Sequence, residues 1–96
     1  MSFRSSSIEI KGPREIAAMR TVGRLAADTL SRVGEILAPG ITTEDIDRFV
    51  VADTKAKGCI AAPLGYRGYP KSVCTSVNEV VCHGIPGAQV LEPGDI

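Results

Sequence analysis

The chain has 96 residues, 44% of them hydrophobic, with 11 basic and 11 acidic side chains. That length allows one domain burying a modest share of its surface, and the apolar content is that of a globular chain. With charges balanced and no basic block, nucleic acid and anionic membrane surfaces are excluded as main partners, and no apolar run approaches the ~20 residues of a membrane-spanning helix.

Residues 1–11 read as an arm, with a short extended piece at Ile8 to Ile10. Its opening, "MSFRSSSIEIKGPR", has no apolar core and is not a secretory signal; Glu9 and the shortness of the stretch argue against a transit peptide. The three cysteines, Cys59, Cys74 and Cys82, have no framework spacing. Without a signal, they point to free thiols in a reducing cytoplasm.

Pro13 suits a first helical position, where its missing N–H costs nothing. Ile16, Met19, Gly23, Ala26, Leu30, Val33 and Leu37 then recur at steps of three and four, which predicts one long amphipathic helix closed by Pro39–Gly40. Arg14, Arg20, Arg24 and Arg32 fall mostly off the stripe and read as a solvated face. Gly23 and Gly34 each weaken such a helix by up to ~1 kcal/mol relative to Ala, so packing must support it.

In "ITTEDIDRFVVADTKAKGC", Thr42 is an N-cap and Asp45 completes a capping-box pattern. Glu44, Asp45 and Asp47 crowd the positive end of the dipole, while Lys55 and Lys57 sit at the negative end. Ile46, Phe49, Val50 and Ala56 form the expected buried stripe, and Gly58 ends the helix. Pro63, Gly65, Gly68 and Pro70 make "AAPLGYRGYPKS" a loop. It carries Tyr66 and Tyr69, and its glycines lack the spacing of a phosphate-binding loop.

Ser72 to Val77 and Val80 to His83 are β-prone and separated by Asn78–Glu79, which predicts a tight hairpin. A type I′ turn there needs positive φ at both central residues. Counting outward pairs Val77 with Val80, Ser76 with Val81, Thr75 with Cys82 and Cys74 with His83. Alternation places Val73, Thr75, Val77, Val80 and Cys82 on a core face, and Cys74, Ser76, Val81 and His83 on the other. Three readings compete. A zinc site lacks C-x-x-C and has a single His. A Cys74–His83 nucleophile pair lacks a marked orienting carboxylate or oxyanion hole. A hairpin with one site-like face and no chemistry of its own asks for nothing more, and the residues alone favour it.

The block "GYPKSVCTSVNEVVCHGIPG" closely resembles the N-terminal half of the type I methionine aminopeptidases. The likeness extends through "EIAAMRTVGRLAADTL", "PGITTEDID", "LGYRGYPKS" and "LEPGDI", nearly the whole chain. It implies an α+β pita-bread (creatinase/aminopeptidase) fold, with two pseudo-symmetric halves around a two-metal site. Residues 12–96 would be the N-terminal part of that catalytic domain: two amphipathic helices, a loop and a β-hairpin, ending before the strand that bears the first metal-ligating Asp.

The implied activity is removal of the initiator methionine from nascent proteins by two-metal-assisted hydrolysis. Two divalent ions (Co, Mn, Fe, Zn or similar) are held in the family by two Asp, one His and two Glu, and activate a bridging water. None of those ligands matches a residue here, so no metal ligand is assigned. Asp95 reads as a turn aspartate. The chain alone is expected to bind no catalytic metal and to cleave nothing. The implied partners are nascent N-termini with Met before a small residue, together with the ribosome; the complete enzyme would be a cytoplasmic monomer.

Carried over by position, His83 is the family's substrate-binding and catalytic histidine, which bonds the scissile peptide and steadies the tetrahedral intermediate. Tyr66, Tyr69 and Cys74 match the pocket for the methionine side chain, whose thioether packs well on aromatic and sulfur groups. Pro63 stands where relatives often place Cys or another pocket residue, and Arg67 where many carry His, Asn or Gly at the rim. Cys82 becomes a core residue. The contrasting class is a pita-bread binding module that has lost its metals; a Cys74-dependent hydrolase is a third possibility. A partial sheet would expose an edge and apolar surface.

Overall fold

Glu15 shows how the first helix begins: its carboxylate accepts the Gly12 N–H at 2.9 Å, directly before Pro13 at the first helical position. The computed structural model describes residues 7–96, so most of the expected arm lies outside the described residues. Helix α1 runs Pro13–Ile36 and helix α2 Thr43–Ala56; the other described residues are irregular apart from a 3-10 turn at Tyr66–Gly68. Helix α1 stops at Ile36, a little short of the Pro39–Gly40 boundary, because Leu37 is already extended (φ −64, ψ 127). The capping box of α2 closes in both directions. The Asp45 N–H donates to Thr42 Oγ1 at 3.1 Å, and the Thr42 N–H donates to Asp45 Oδ2 at 2.8 Å. Gly58 follows α2 in the left-handed region (φ 66).

The α1–α2 contact differs from its expectation. No residue of α1 is buried, and the predicted stripe is largely open, with Met19, Leu30 and Leu37 all exposed. The side of α1 that meets α2 instead carries Thr29 and Arg32, and the contact is polar at its centre. Asp53 of α2 is buried and accepts from Thr29 Oγ1 (2.6 Å) and Lys57 Nζ (2.8 Å), while Arg32 pairs with its other oxygen at 2.8 Å. Arg32 is half-exposed yet reaches into the helix interface, and its guanidinium also covers the Phe49 ring at 5.6 Å. The apolar core is small: Ile46 and Val50 of α2 with Val77, while Ala56 stays exposed.

This network makes an acid-stability prediction. The Lys57 hydrogen bond first, then the Thr29 hydrogen bond and the Arg32 charge, hold the Asp53 carboxyl below its ordinary 3.8. A lowered folded-state value means that the ionised carboxylate stabilises the fold above about pH 3.8, and that this contribution is lost as pH falls through the lowered value. Acid titration followed by circular dichroism should therefore show stability dropping below that point, and Asp53→Asn should flatten this part of the profile while lowering stability at neutral pH. An unchanged acid limb in the variant would contradict the assignment.

The β-hairpin expectation needs correction. Among the described residues there is no strand, only an isolated antiparallel bridge between Thr42 and Val90. Backbone bonds on either side of it, Leu91 N–H to Ile41 O at 2.8 Å and Thr43 N–H to Gln89 O at 3.0 Å, tie residues 87–91 to the start of α2. The 72–84 segment does reverse: the Val80 N–H bonds Val77 O at 3.2 Å across Asn78–Glu79. Asn78 has positive φ (55) and Glu79 does not, so the turn is not type I′. Beyond the turn the limbs meet through the Thr75 N–H and Gly84 O at 2.8 Å, two residues away from the expected Thr75–Cys82 pairing. The cause is local. His83 is left-handed (φ 55), which interrupts any extended run, and Asn78 is engaged elsewhere, its N–H bonding Ile96 O at 2.7 Å. Val80 and Cys82, both expected in the core, are consequently exposed.

Candidate functional site

The loop after α2 is fixed by its own backbone. The Tyr66 N–H bonds Pro63 O at 3.0 Å, the Gly65 N–H bonds Tyr69 O at 2.8 Å, and the Tyr69 N–H bonds Tyr66 O at 3.0 Å. Gly65 and Gly68 both take positive φ (78 and 80), which glycine adopts without a Cβ penalty. Arg67, between them, takes the same region at φ 49. Two acids of α2 anchor the exit of the loop. Asp47 is buried and its Oδ1 accepts the Ser72 N–H at 2.7 Å; Glu44 pairs with Lys71 at 2.7 Å. In sequence Asp47 reads only as a dipole partner; its place three residues before the buried Val50 was the available sign of an inward carboxylate.

Tyr69 joins the two limbs of the following segment. Its hydroxyl donates to Val73 O at 2.8 Å and leans toward Gly84 O at 3.3 Å. Gly84 is pressed against the opposite limb so closely that a Cβ built on it would lie 2.0 Å from Thr75 O. Its N–H also donates to Ser76 Oγ at 3.2 Å. Burial, then the neighbouring Cys74 thiol, push the Tyr69 phenol up to about 12. With a raised folded-state value, the stabilisation it reflects is intact below the unfolded value of 10.0 and is lost as pH rises toward 12. Ultraviolet titration should show one tyrosine ionising about two units late, and Tyr69→Phe should remove that step and cost about 1 kcal/mol of stability for the lost hydrogen bond. Ionisation of the Tyr69 phenol at its ordinary 10.0 would contradict this geometry.

These constraints build one open cavity of about 780 Å³, and Pro63, Tyr66, Tyr69, Cys74 and His83 all line it. So does Arg67, whose guanidinium lies over the Tyr66 ring at 5.4 Å. Cys82 does not; it is exposed elsewhere, so the adjacent Cys82 and His83 do not converge on one site. Among the described residues the His83 imidazole has no hydrogen-bond partner and no carboxylate lines the cavity, so nothing orients a Cys74–His83 nucleophile pair. Two of the three non-glycine residues with positive φ among the described residues, Arg67 and His83, lie on this cavity. Strained backbone of that kind concentrates at functional sites.

A divalent-metal pair does not fit the residues present. Among the described residues no group of three or more His, Cys, Asp and Glu side chains could hold an ion. Asp95 is occupied as a turn residue: its carboxylate accepts the Glu92 N–H at 2.8 Å and the Asn78 amide at 3.0 Å.

The helix pair and its attached pocket are an arrangement shared with solved aminopeptidases. The chain superposes on the methionine aminopeptidase of Rickettsia prowazekii with a TM-score of 0.90 and 40% identity, over 93% of this chain and 36% of that one. The Thermotoga maritima enzyme gives 0.89 at 38% identity, over 93% and 36%. In particular, the profile of metallopeptidase family M24 matches residues 17–96, and the chain belongs to that family. In sequence it is 50% identical over 91 residues to methionine aminopeptidase A of Synechocystis, covering 94% of this chain and 36% of that protein. The Escherichia coli methionine aminopeptidase is 48% identical over 95 residues, covering 94% and 35%. A mitochondrial methionine aminopeptidase 1D of Dictyostelium discoideum is 49% identical over 89 residues, covering 93% and 22%. The chain thus spans about a quarter to a third of the length of these relatives. No helix among the described residues is long and apolar enough to cross a membrane.

Proposed function

We propose that the chain supplies the N-terminal, substrate-gripping part of a methionine aminopeptidase, with residues 12–96 forming part of a pita-bread domain. The observation that carries this is the convergence of Pro63, Tyr66, Tyr69, Cys74 and His83 on one cavity. The two tyrosine rings and the Cys74 sulfur offer a methionine thioether an apolar, polarisable seat. Tyr69, held by its hydroxyl bonds, keeps the wall rigid. His83, on the same cavity and unpartnered, donates to the peptide carbonyl as negative charge gathers on its oxygen, or accepts from the peptide N–H.

Residues of this chain bind, orient and stabilise; among the described residues there is no metal-ligand group, so no metal-dependent step is assigned to them. The substrates are polypeptide N-termini bearing Met before a small residue, presented in the cytoplasm at the ribosome, and the complete enzyme acts as a monomer. The test is methionine release from Met-Ala-Ser by the full-length protein. Activity that is abolished by chelation and survives Cys74→Ala supports the reading. Activity that survives chelation but not Cys74→Ala replaces it with a thiol hydrolase. Binding of the peptide without any hydrolysis supports the second reading, a pita-bread binding module.

A further inference from the structure

We propose that Arg67 is a specificity determinant, selecting peptides that carry a carboxylate beyond the residue seated in the cavity; this rests on the aminopeptidase reading above. The cavity wall is mostly apolar or aromatic, no Asp or Glu lines it, and Arg67 is its only permanently charged side chain. Among the described residues Arg67 has no ion-pair partner, and its contact is the Tyr66 ring at 5.4 Å. Stacking uses the face of the guanidinium and leaves its in-plane N–H donors free. Those donors form a fork that matches a carboxylate in two parallel bonds.

The backbone adds a second reason. Arg67 sits at φ 49, ψ 38, in a region where a side chain is disfavoured, between two residues whose N–H groups are bonded within the loop. The loop's own bonds hold the Arg67 backbone, and the Tyr66 ring carries its guanidinium at the cavity wall. A residue such as Gly or Asn would occupy that backbone more easily, so the arginine is not there for the sake of the turn. A peptide whose first side chain fills the cavity would bring a following residue past this rim. The matching chemistry is a carboxylate, from an acidic side chain or from the end of a short peptide.

The experiment uses the full-length, metal-loaded protein with three substrates: Met-Ala-Glu-amide, Met-Ala-Gln-amide and Met-Ala-Gln with a free C-terminus. The glutamate peptide should exceed the glutamine amide in kcat/KM by about fivefold, the upper range for an exposed ion pair. The ratio should shrink toward one as salt shortens the screening length from ~10 Å at 0.1 M to ~3 Å at 1 M. Arg67→Asn, whose side chain tolerates positive φ, should bring the ratio near one, and Arg67→Lys should restore most of it. A purely structural role would slow all three peptides alike and leave the ratio unmoved. A preference for the free C-terminus over its amide, lost in Arg67→Asn, also supports carboxylate selection and assigns it to the chain end. A ratio of one in both carboxylate comparisons of the unmodified protein, or unchanged ratios in Arg67→Asn, overturns the inference while hydrolysis of the glutamine amide keeps the aminopeptidase reading intact. No hydrolysis of any peptide overturns both.

Discussion

Gly84→Ala is expected to open the site, with a loss of about 3 kcal/mol or more in unfolding free energy. The added Cβ would lie 2.0 Å from Thr75 O and 2.8 Å from the Thr75 carbonyl carbon. Both are backbone atoms, so no side chain can rotate away. Relief requires the two limbs to separate, and that breaks the Thr75–Gly84 bond, the Gly84–Ser76 bond and the Tyr69 contact with Gly84 O. Each is worth about 1 kcal/mol, which gives the figure above. Urea unfolding should show a lower midpoint at similar slope, the sign of lost stability and not of altered compactness. The Tyr69 phenol should at the same time ionise closer to its ordinary 10.0, because its shelter depends on that contact. Gly23, where a Cβ meets nothing within 4 Å, is the control position. A Gly84→Ala protein with the parent midpoint would show that the limbs are not held together as described.

Gly84 also marks where sequence reasoning stopped short. The helix boundaries were legible because their causes are local: proline at a first turn, the Thr42–Asp45 box, and a glycine beyond the last turn. Alternation correctly turned Val77 inward, since a buried valine beside polar neighbours is also a short-range signal. The pairing of the limbs was not legible. Counting outward from a two-residue turn assumes that both limbs stay extended, and His83 does not; its positive φ moves the contact to Thr75–Gly84. A glycine after a histidine gives no hint of a carbonyl 2.0 Å from its missing Cβ, because that neighbour lies nine positions back in the chain.

The buried acids were hidden for a different reason. Asp47 and Asp53 look like surface charges at helical spacing, and the tertiary partners Ser72, Thr29 and Arg32, joined by the local i,i+4 partner Lys57, make their burial tolerable. The α1 stripe was legible as apolar, but not as uncovered. Periodicity reports which side is greasy and not what lies against it. The pocket residues lay close together in the chain, so their proximity was readable, whereas the anchoring of their loop through Asp47 and Glu44 was not.

His83 carries the other large prediction. In the full-length protein, His83→Ala is expected to lower kcat/KM for Met-Ala-Ser by about 10²–10³, the usual effect of losing one donor to a developing oxyanion. The variant alone confounds two causes, because residue 83 is left-handed at φ 55. Alanine loses the ring and also pays the steric penalty of that backbone, about 1–2 kcal/mol. His83→Gly separates them: it removes the ring but suits the conformation. The two variants should therefore share the loss of activity and differ in stability, with the glycine form at or above the alanine form in its unfolding midpoint. The loss should fall mainly on kcat, since a bond that strengthens as charge develops stabilises the transition state more than the bound substrate. A glycine variant with near-parent kcat would show that the imidazole takes no part in the chemistry and that the strained backbone merely shapes the cavity.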